Sequence, residues 1–147
     1  MRVSELMNKN VISVTAEENA AEASRLLTRH NIGSLPVVGQ DGKLRGIVTD
    51  RDIVTRCIAA DSDPAQTHVK EIMTRAVVTV PSGADIREAG SLMAARQIRR
   101  LPVVEDGRLV GMLSLGDMAR SRTYDMEASH ALSEISETKT KTEGRDS

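Results

Sequence analysis

The sequence predicts an α/β (α+β) protein built from tandem β-α-β-β-α repeats with a C-terminal helical tail. Three observations carry that expectation. First, whole stretches recur in one register. Val69-Lys70-Glu71-Ile72-Met73 repeats Val3-Ser4-Glu5-Leu6-Met7, Val77-Val78-Thr79-Val80 repeats Val11-Ile12-Ser13-Val14, and Ile98 to Val104 repeats Ile32 to Val38. Copies lie about 66 residues apart until the loop after Val104, where the second is one residue shorter. Second, apolar patterning inside each copy alternates between short β-branched runs and helical stripes. Third, Gly46-Ile47-Val48-Thr49-Asp50-Arg51-Asp52 returns as Gly111-Met112-Leu113-Ser114-Leu115-Gly116-Asp117, a buried strand running into a helix start. The organisation expected is repeat one over residues 1–60, a polar linker over 61–68, repeat two over 69–121 and a tail over 122–147.

In chain order, Val11 to Val14 reads as a strand. Asn19-Ala20-Ala21-Glu22 then has the form of a capping box, Asn19 accepting from first-turn amides and Glu22 reaching back. Ala20, Ala23 and Leu27, with Leu26 beside them, form the apolar stripe of a helix ending near His30-Asn31. Repeat two has the same device at Asp85 to Glu88, with Ile86, Ala89, Gly90 and Met93 as the stripe. Its small residues suggest the close approach of another backbone. Ser34 to Val38 is a strand with a proline near its start, where no ladder donor is required. Gly39 to Gly42 is a hairpin loop, and Asp106-Gly107 is the tight-turn signal of the second hairpin. Leu44 to Val48 enters the repeated turn, and the helix after it should face Ile53, Val54, Cys57 and Ile58 inward. Beyond Ser121, Tyr124, Ala128, Ala131, Leu132 and Ile135 fall at helical spacing. Residues 138–147 have nothing to bury and are expected to be disordered.

Composition narrows the function. Of 147 residues, 39% are hydrophobic and 28% charged, which suits a soluble globular chain. Aromatics amount to 1%, a single tyrosine, so the core must be aliphatic and a planar ligand would be sandwiched by aliphatic side chains. A net charge of -1 gives no basic field for nucleic acid or anionic membrane. No apolar run reaches the roughly 18 residues of a spanning helix. The first residues lack a signal-peptide core, so the expected location is the cytoplasm. The lone Cys57 allows no internal disulfide and reads as a small core residue. No dinucleotide or phosphate-loop glycine motif is present, and nothing resembles a nucleophile with its base. His30, His68 and His130 lie on separate segments and read as surface or helix-end residues. Met73, Met93 and Met112 read as core. No metal site and no catalytic residue is expected.

The repeated turn has two chemistries open to it. Thr49 with Asp52, and Ser114 with Asp117, each place a hydroxyl cap before an acid at the third helical position, which stabilises a helix start by about 0.5–2 kcal/mol without any ligand. The same turn exposes amides at the positive end of a helix, where phosphate is favoured, and its carboxylate could accept from a ribose diol, as in dinucleotide sites. Arg99-Arg100, just before Leu101-Pro102, suits a phosphate or a solvated strand end. Repeat one has Gly33-Ser34 there, so the halves are not equivalent.

Jointly, the Glu-hydrophobic-Met segments (Glu5-Leu6-Met7, Glu71-Ile72-Met73), Leu-Pro-Val-Val in each hairpin and the Gly-h-h-Thr/Ser-x-x-Asp turns resemble a tandem pair of CBS (cystathionine β-synthase) domains over residues 3–121. Thr49 to Val54 resembles the small stand-alone bacterial members, including hypoxia and stress-response types. The resemblance implies a pseudo-two-fold module packed through its sheets, with two clefts for adenosine-containing ligands: AMP, ADP, ATP, NAD or S-adenosylmethionine. It also implies homodimeric discs and an output to a separate effector protein. By motif, Asp52 and Asp117 would hold ribose hydroxyls, with Thr49 and Ser114 near ribose or phosphate. Arg99 and Arg100 would meet phosphates, and the backbones around Val11 and Val77, with Pro36 and Pro102, would line adenine. The cleft with Ser114, Asp117, Arg99 and Arg100 is the favoured one; its counterpart would bind more weakly or take a less charged ligand. The function implied is a non-catalytic ligand sensor, with a ligand-independent interaction or dimerisation module in a stress response as the alternative.

Overall fold

β-branched runs and helical stripes give two copies of one unit in the computed structural model, which describes residues 1–121. The helix and disorder expected over 122–147, and His130, lie outside the described residues. The first copy runs α1 (Val3–Leu6), β1 (Val14–Thr15), α2 (Ala20–His30), β2 (Ser34–Val38), β3 (Leu44–Thr49) and α3 (Asp50–Ile53), which continues as a π-helix over Val54–Ile58. The second runs α4 (Val69–Ile72), β4 (Val80–Pro81), α5 (Ile86–Arg96), β5 (Arg100–Glu105) and β6 (Arg108–Ser114), followed by α6 over residues 115–121. Each copy forms a three-stranded sheet, β1-β2-β3 or β4-β5-β6, whose first pair is parallel and second antiparallel. The β-α-β-β-α order read from the sequence is observed, preceded in each copy by a short helix, α1 or α4, that the sequence reading did not assign.

Local chemistry explains the boundaries. Asn19 accepts from the Glu22 amide at 2.7 Å, as expected, but Glu22 turns to Arg25 at 3.2 Å instead of reaching back. Asp85 caps α5 through the Arg87 amide at 2.9 Å. Both long helices end in a left-handed residue, Asn31 and Gln97, each at φ 53°. Asp106 and Gly107 take φ 52° and 78°, the geometry a two-residue hairpin turn requires. Pro36 pairs with Ile47 on one side, while β1 reaches β2 only at Val37 and Val38, so the proline occupies a stretch with one neighbour.

Three expectations change. The strand placed at Val11 to Val14 is shortened to Val14–Thr15, and that at Val77 to Val80 becomes Val80–Pro81. The reason lies upstream, where Asn8 is bridged to Met112 and Thr74 to Ile47, so the chain crosses from one sheet to the other before joining its own. Val54 and Ile58 are not inward: they are 57% and 51% exposed, while Ile53 and Cys57 are buried. The i→i+5 winding, with the Ala59 amide on the Val54 carbonyl, replaces the 3.6-residue period on which the expectation rested. The neighbour that keeps Gly90 small is a side chain, not a backbone: an added Cβ would lie 2.8 Å from Met118 Cε.

The core is two aliphatic clusters, each completed by the other repeat. Val69, Ile72 and Met73, from the start of the second repeat, pack with Val14, Leu27, Leu35 and Val48 of the first. Val3 of the first repeat is buried with Val80, Met93, Leu101 and Leu113 of the second, and Leu6 and Met7 pack against them. Backbone hydrogen bonds fix the exchange: Val3 N donates to Ala84 O at 2.9 Å, and Val69 N to Glu18 O at 2.8 Å. Each such buried aliphatic side chain contributes about 1.5–3 kcal/mol, so neither repeat has a complete core alone. The repeated Glu-h-Met segment now has a use. Glu5 and Glu71 accept from the amides of Arg2 and His68 at 2.8 and 2.7 Å and close the leading helices. Met7 and Met73 then lie against Gly111 and Gly46 of the opposite repeats. Sheet-to-sheet contact is completed at the hairpin tips, where Leu44 N meets Gly107 O at 2.9 Å and Leu109 N meets Gly42 O at 3.1 Å.

Candidate functional site

The two repeated turns are built alike. At the first, the Asp52 amide donates to Thr49 Oγ1 at 2.9 Å, and the Thr49 amide donates to Asp52 Oδ2 at 3.0 Å. At the second, the Asp117 amide donates to Ser114 Oγ at 3.1 Å, and the Ser114 amide to Asp117 Oδ2 at 2.9 Å. Hydroxyl and carboxylate thus close a reciprocal cap on each helix. Each corner is anchored within its own repeat by the residue just before the middle strand: Asp50 N donates to Gly33 O at 3.1 Å, and Leu115 N to Arg99 O at 2.8 Å.

The surroundings of the two carboxylates differ. Asp52 is 7% exposed. Thr74 Oγ1 lies 3.4 Å from both of its oxygens, and Arg56 Nε lies 3.8 Å from Oδ1. Arg56 also reaches the Ile72 and Met73 carbonyls at 3.1 and 3.2 Å. The remaining oxygen of Asp117 pairs with Arg120, a largely exposed side chain three residues on.

Beside the second turn lies a cleft of about 280 Å³ that both repeats wall, near the lower end of small-ligand sites. The first repeat supplies Val11, Ile12, Ile32 and Pro36, an aliphatic face. The second supplies Arg100, Met112, Ser114 and Asp117. Asn8, Asn10, His30 and Ser34 complete the polar part. Arg100 is the cross-strand neighbour of Ser114, which sets its side chain beside the turn.

Of the residues singled out in the sequence, Ser114, Asp117, Arg100, Val11 and Pro36 come together in this cleft. Arg99 does not line it; its contribution there is the carbonyl that holds Leu115. Thr49, Asp52, Val77 and Pro102 lie elsewhere: the first two in the other turn, Pro102 buried opposite Met112 in the second sheet. Asn8, Asn10, Ile12, His30, Ile32, Ser34 and Met112 line the cleft without having been assigned to a site. His30 and Ser34 could be placed there only by knowing that the end of α2 and the start of β2 face the opposite sheet. Met112, 9% exposed, keeps its place in the core as well. Among the described residues, no three His, Cys, Asp or Glu side chains converge as a metal site would require. No helix there is long and apolar enough to cross a membrane.

Crossed β-α-β-β-α units, a cleft walled by both, and a capped acidic turn at its edge define a paired regulatory module. The chain belongs to the CBS domain family, whose model matches residues 3–58 and 69–124. It is 40% identical over 134 residues to the CBS domain-containing protein YhcV of Bacillus subtilis, covering 91% of this chain and 94% of that one. It is 37% identical over 116 residues to hypoxic response protein 1 of Mycobacterium tuberculosis, covering 79% and 81%. The structure of Hypoxic Response Protein I with two coordinated zinc ions matches with a TM-score of 0.75 at 36% identity, over 82% of this chain and 98% of that one. The CBS domain pair of protein MJ0100, in complex with 5′-methylthioadenosine and S-adenosyl-L-methionine, matches with a TM-score of 0.72 at 31% identity, over 85% and 98%.

Proposed function

We propose that the chain is a non-catalytic sensor that binds an adenosine-containing ligand in the Ser114–Asp117 cleft and passes the signal on by a change in the relative setting of its repeats or of a homodimer. The observation that carries this reading is that one cleft is lined both by aliphatic residues (Val11, Ile12, Pro36) and by a capped carboxylate with a guanidinium (Asp117, Arg100). An adenine fits the first, which needs no aromatic stacking. A ribose diol fits the Asp117 carboxylate, which accepts hydrogen bonds well when ionised. The adenosine compounds held by the MJ0100 pair support the ligand class. Because each leading helix packs in the opposite core, a ligand touching both walls can bias how the repeats sit, provided it binds the two arrangements with different affinity. The effector is then a separate protein in the cytoplasm, in a stress-linked setting that the hypoxic response relative favours.

Calorimetric titration of AMP, ADP, ATP, NAD and S-adenosylmethionine tests it. At least one should bind the wild type, and Asp117→Ala should weaken it about 10- to 100-fold, the loss of one or two hydrogen bonds to a charged group. Binding that survives Asp117→Ala unchanged overturns the site. A second reading, a ligand-independent interaction module, is favoured by the exposed Val54 and Ile58 and by the filled coordination of Asp52. Self-association or partner capture lost in Val54→Ser/Ile58→Ser, with no adenosine compound bound, would select it.

A further inference from the structure

The chain crosses between its two sheets twice, and the crossings have the same backbone but unequal support. At the first, Asn8 N donates to Met112 O at 2.8 Å and Met112 N to Asn8 O at 2.9 Å. At the second, Thr74 N donates to Ile47 O at 2.8 Å and Ile47 N to Thr74 O at 2.9 Å. Beyond these bonds the second crossing is braced by side chains. Thr74 Oγ1 lies 3.4 Å from both Asp52 oxygens. Arg56 pairs with Asp52 and donates to the carbonyls of Ile72 and Met73, the two residues before Thr74. At the first crossing, among the described residues, the Asn8 carboxamide accepts only from the Asn10 amide, two residues on. Ser121, at the repeat position of Arg56, has no guanidinium to reach back with. Thr74 is half-buried, whereas Asn8 is exposed.

We infer that the crossings divide the work of signalling: Thr74–Ile47 is a fixed hinge locked by Arg56, and Asn8–Met112 is a latch that the ligand closes. The latch rests on the adenosine reading of the cleft and says where its signal enters the protein. Both latch residues line the cleft, and so do Asn10, Val11 and Ile12, the strap that leads from Asn8 towards β1. Thr74, Ile47, Asp52 and Arg56 do not line it. An occupant therefore touches the latch and not the hinge. An exposed backbone pair without a side-chain brace opens locally at lower free energy than a braced one. A ligand that meets strap and strand together binds the closed latch better than the open one and shifts the population towards it. The strap is held beyond both ends. The Val3 and Ser4 amides are fixed on the Ala84 and Ser82 carbonyls of the second repeat at 2.9 Å, and Val14 pairs with Val37 of the first. Closing the latch thus pulls on both repeats, which turn about the crossing that stays shut.

Amide hydrogen exchange on the full chain, corrected for intrinsic rates, tests hinge and latch separately. In the free protein the Asn8 and Met112 amides should exchange at least about tenfold faster than those of Thr74 and Ile47. Arg56→Gln should speed Thr74 and Ile47 by about fivefold or more and leave Asn8 and Met112 within a factor of about two. Thr74→Val, which removes only the hydroxyl, should act in the same direction, and thermal melting checks that both variants fold. Saturation with AMP, ATP or S-adenosylmethionine, whichever binds, should slow Asn8 and Met112 at least about tenfold and Thr74 and Ile47 less than about twofold. Equal protection at the two crossings of the free chain, or exchange in both variants like that of the wild type, overturns the hinge. If a compound binds, Asp117→Ala weakens it, and Thr74 and Ile47 gain as much protection as Asn8 and Met112, the latch is wrong while the adenosine site stands. If none of the compounds binds, the latch falls together with the reading beneath it, and unequal exchange in the free chain leaves the hinge standing.

Discussion

The Thr49–Asp52 and Ser114–Asp117 turns share both amide-to-side-chain hydrogen bonds of the reciprocal cap, yet they stand in different chemistry. Around Asp52 the protein supplies a complete set of partners: the Thr49 amide, the Thr74 hydroxyl and the Arg56 guanidinium. Arg56 in turn ties the π-helix to the end of α4 through two carbonyls. The repeat offset places Ser121 at the position of Arg56 and Asn8 at that of Thr74. Around Asp117 the guanidinium comes instead from the exposed Arg120, and Asn8 lines an open cleft. Duplication thus supplied two equal corners, and substitution of their neighbours filled one from within the protein and left the other facing a cavity. A repeated motif is by itself a cap; its surroundings decide whether its carboxylate is enclosed by the protein or borders a cleft.

That contrast can be broken at the carboxylates. Asp52→Ala removes a helix cap and strands the half-buried Thr49 amide and the Thr74 hydroxyl, so it should lower stability by about 2–4 kcal/mol in denaturant unfolding. Asp117→Ala should cost about 0.5–2 kcal/mol, the cap alone, with its main effect on ligand affinity. Equal destabilisation by the two would show that Thr74 and Arg56 contribute nothing to the first corner. The glycines sharpen the same comparison. A Cβ on Gly46 would lie 2.7 Å from the Thr74 carbonyl oxygen, part of the backbone bridge that joins the repeats. Gly46→Ala should therefore cost about 1–3 kcal/mol, the usual penalty of overpacking. On Gly111 the tightest neighbours belong to the flexible Met7 side chain, with Asn8 O at 3.2 Å. Gly111→Ala should cost less, and pairing it with Met7→Ala should recover part of the loss. If Gly111→Ala proves the worse of the two, the crossing at Asn8 is the stiffer.

The smallest effect concerns the caps of the long helices. The Arg87 amide, then the Arg87 side chain, hold the Asp85 carboxyl below its ordinary value. A lowered folded-state value means the contribution is present above the ordinary carboxylate range and is lost as pH falls through the lowered value. Melting temperatures of the wild type and Asp85→Asn should therefore converge on acidification. The group is exposed, so the shift should be slight, and no such convergence is expected for Asn19→Ala, whose cap is uncharged at every pH. A parallel response of the two variants would remove the charge from the account of α5.

Most of the fold could be read before folding. The element order, the hairpins, the helix caps at Asn19 and Asp85, and the duplication all lie in local pattern, because turn chemistry and apolar period act over a few residues. Readings failed where a distant contact replaced the local rule. β1 is short because the preceding chain first pairs with the other sheet. Val54 and Ile58 are exposed because the helix widens after Ile53. For the candidate cleft, Ser114, Asp117 and Arg100 were visible as a repeated turn and a basic pair. His30, Asn8 and Ser34 were not, since nothing near them in sequence announces which repeat they will face.

By itself, then, the sequence determined two β-α-β-β-α units, the capped acidic turn in each, an aliphatic core and the asymmetry of Gly33-Ser34 against Arg99-Arg100. Only the tertiary structure decided that each leading helix completes the opposite core, that Asp52 is filled from within while Asp117 borders a cleft, and that Arg100, not Arg99, shares that cleft with His30. The physical reason is that caps and periods are set by neighbours three or four residues away, whereas a cleft between repeats is set by which surfaces meet. Here that meeting is fixed by backbone bridges between residues as distant as Asn8 and Met112.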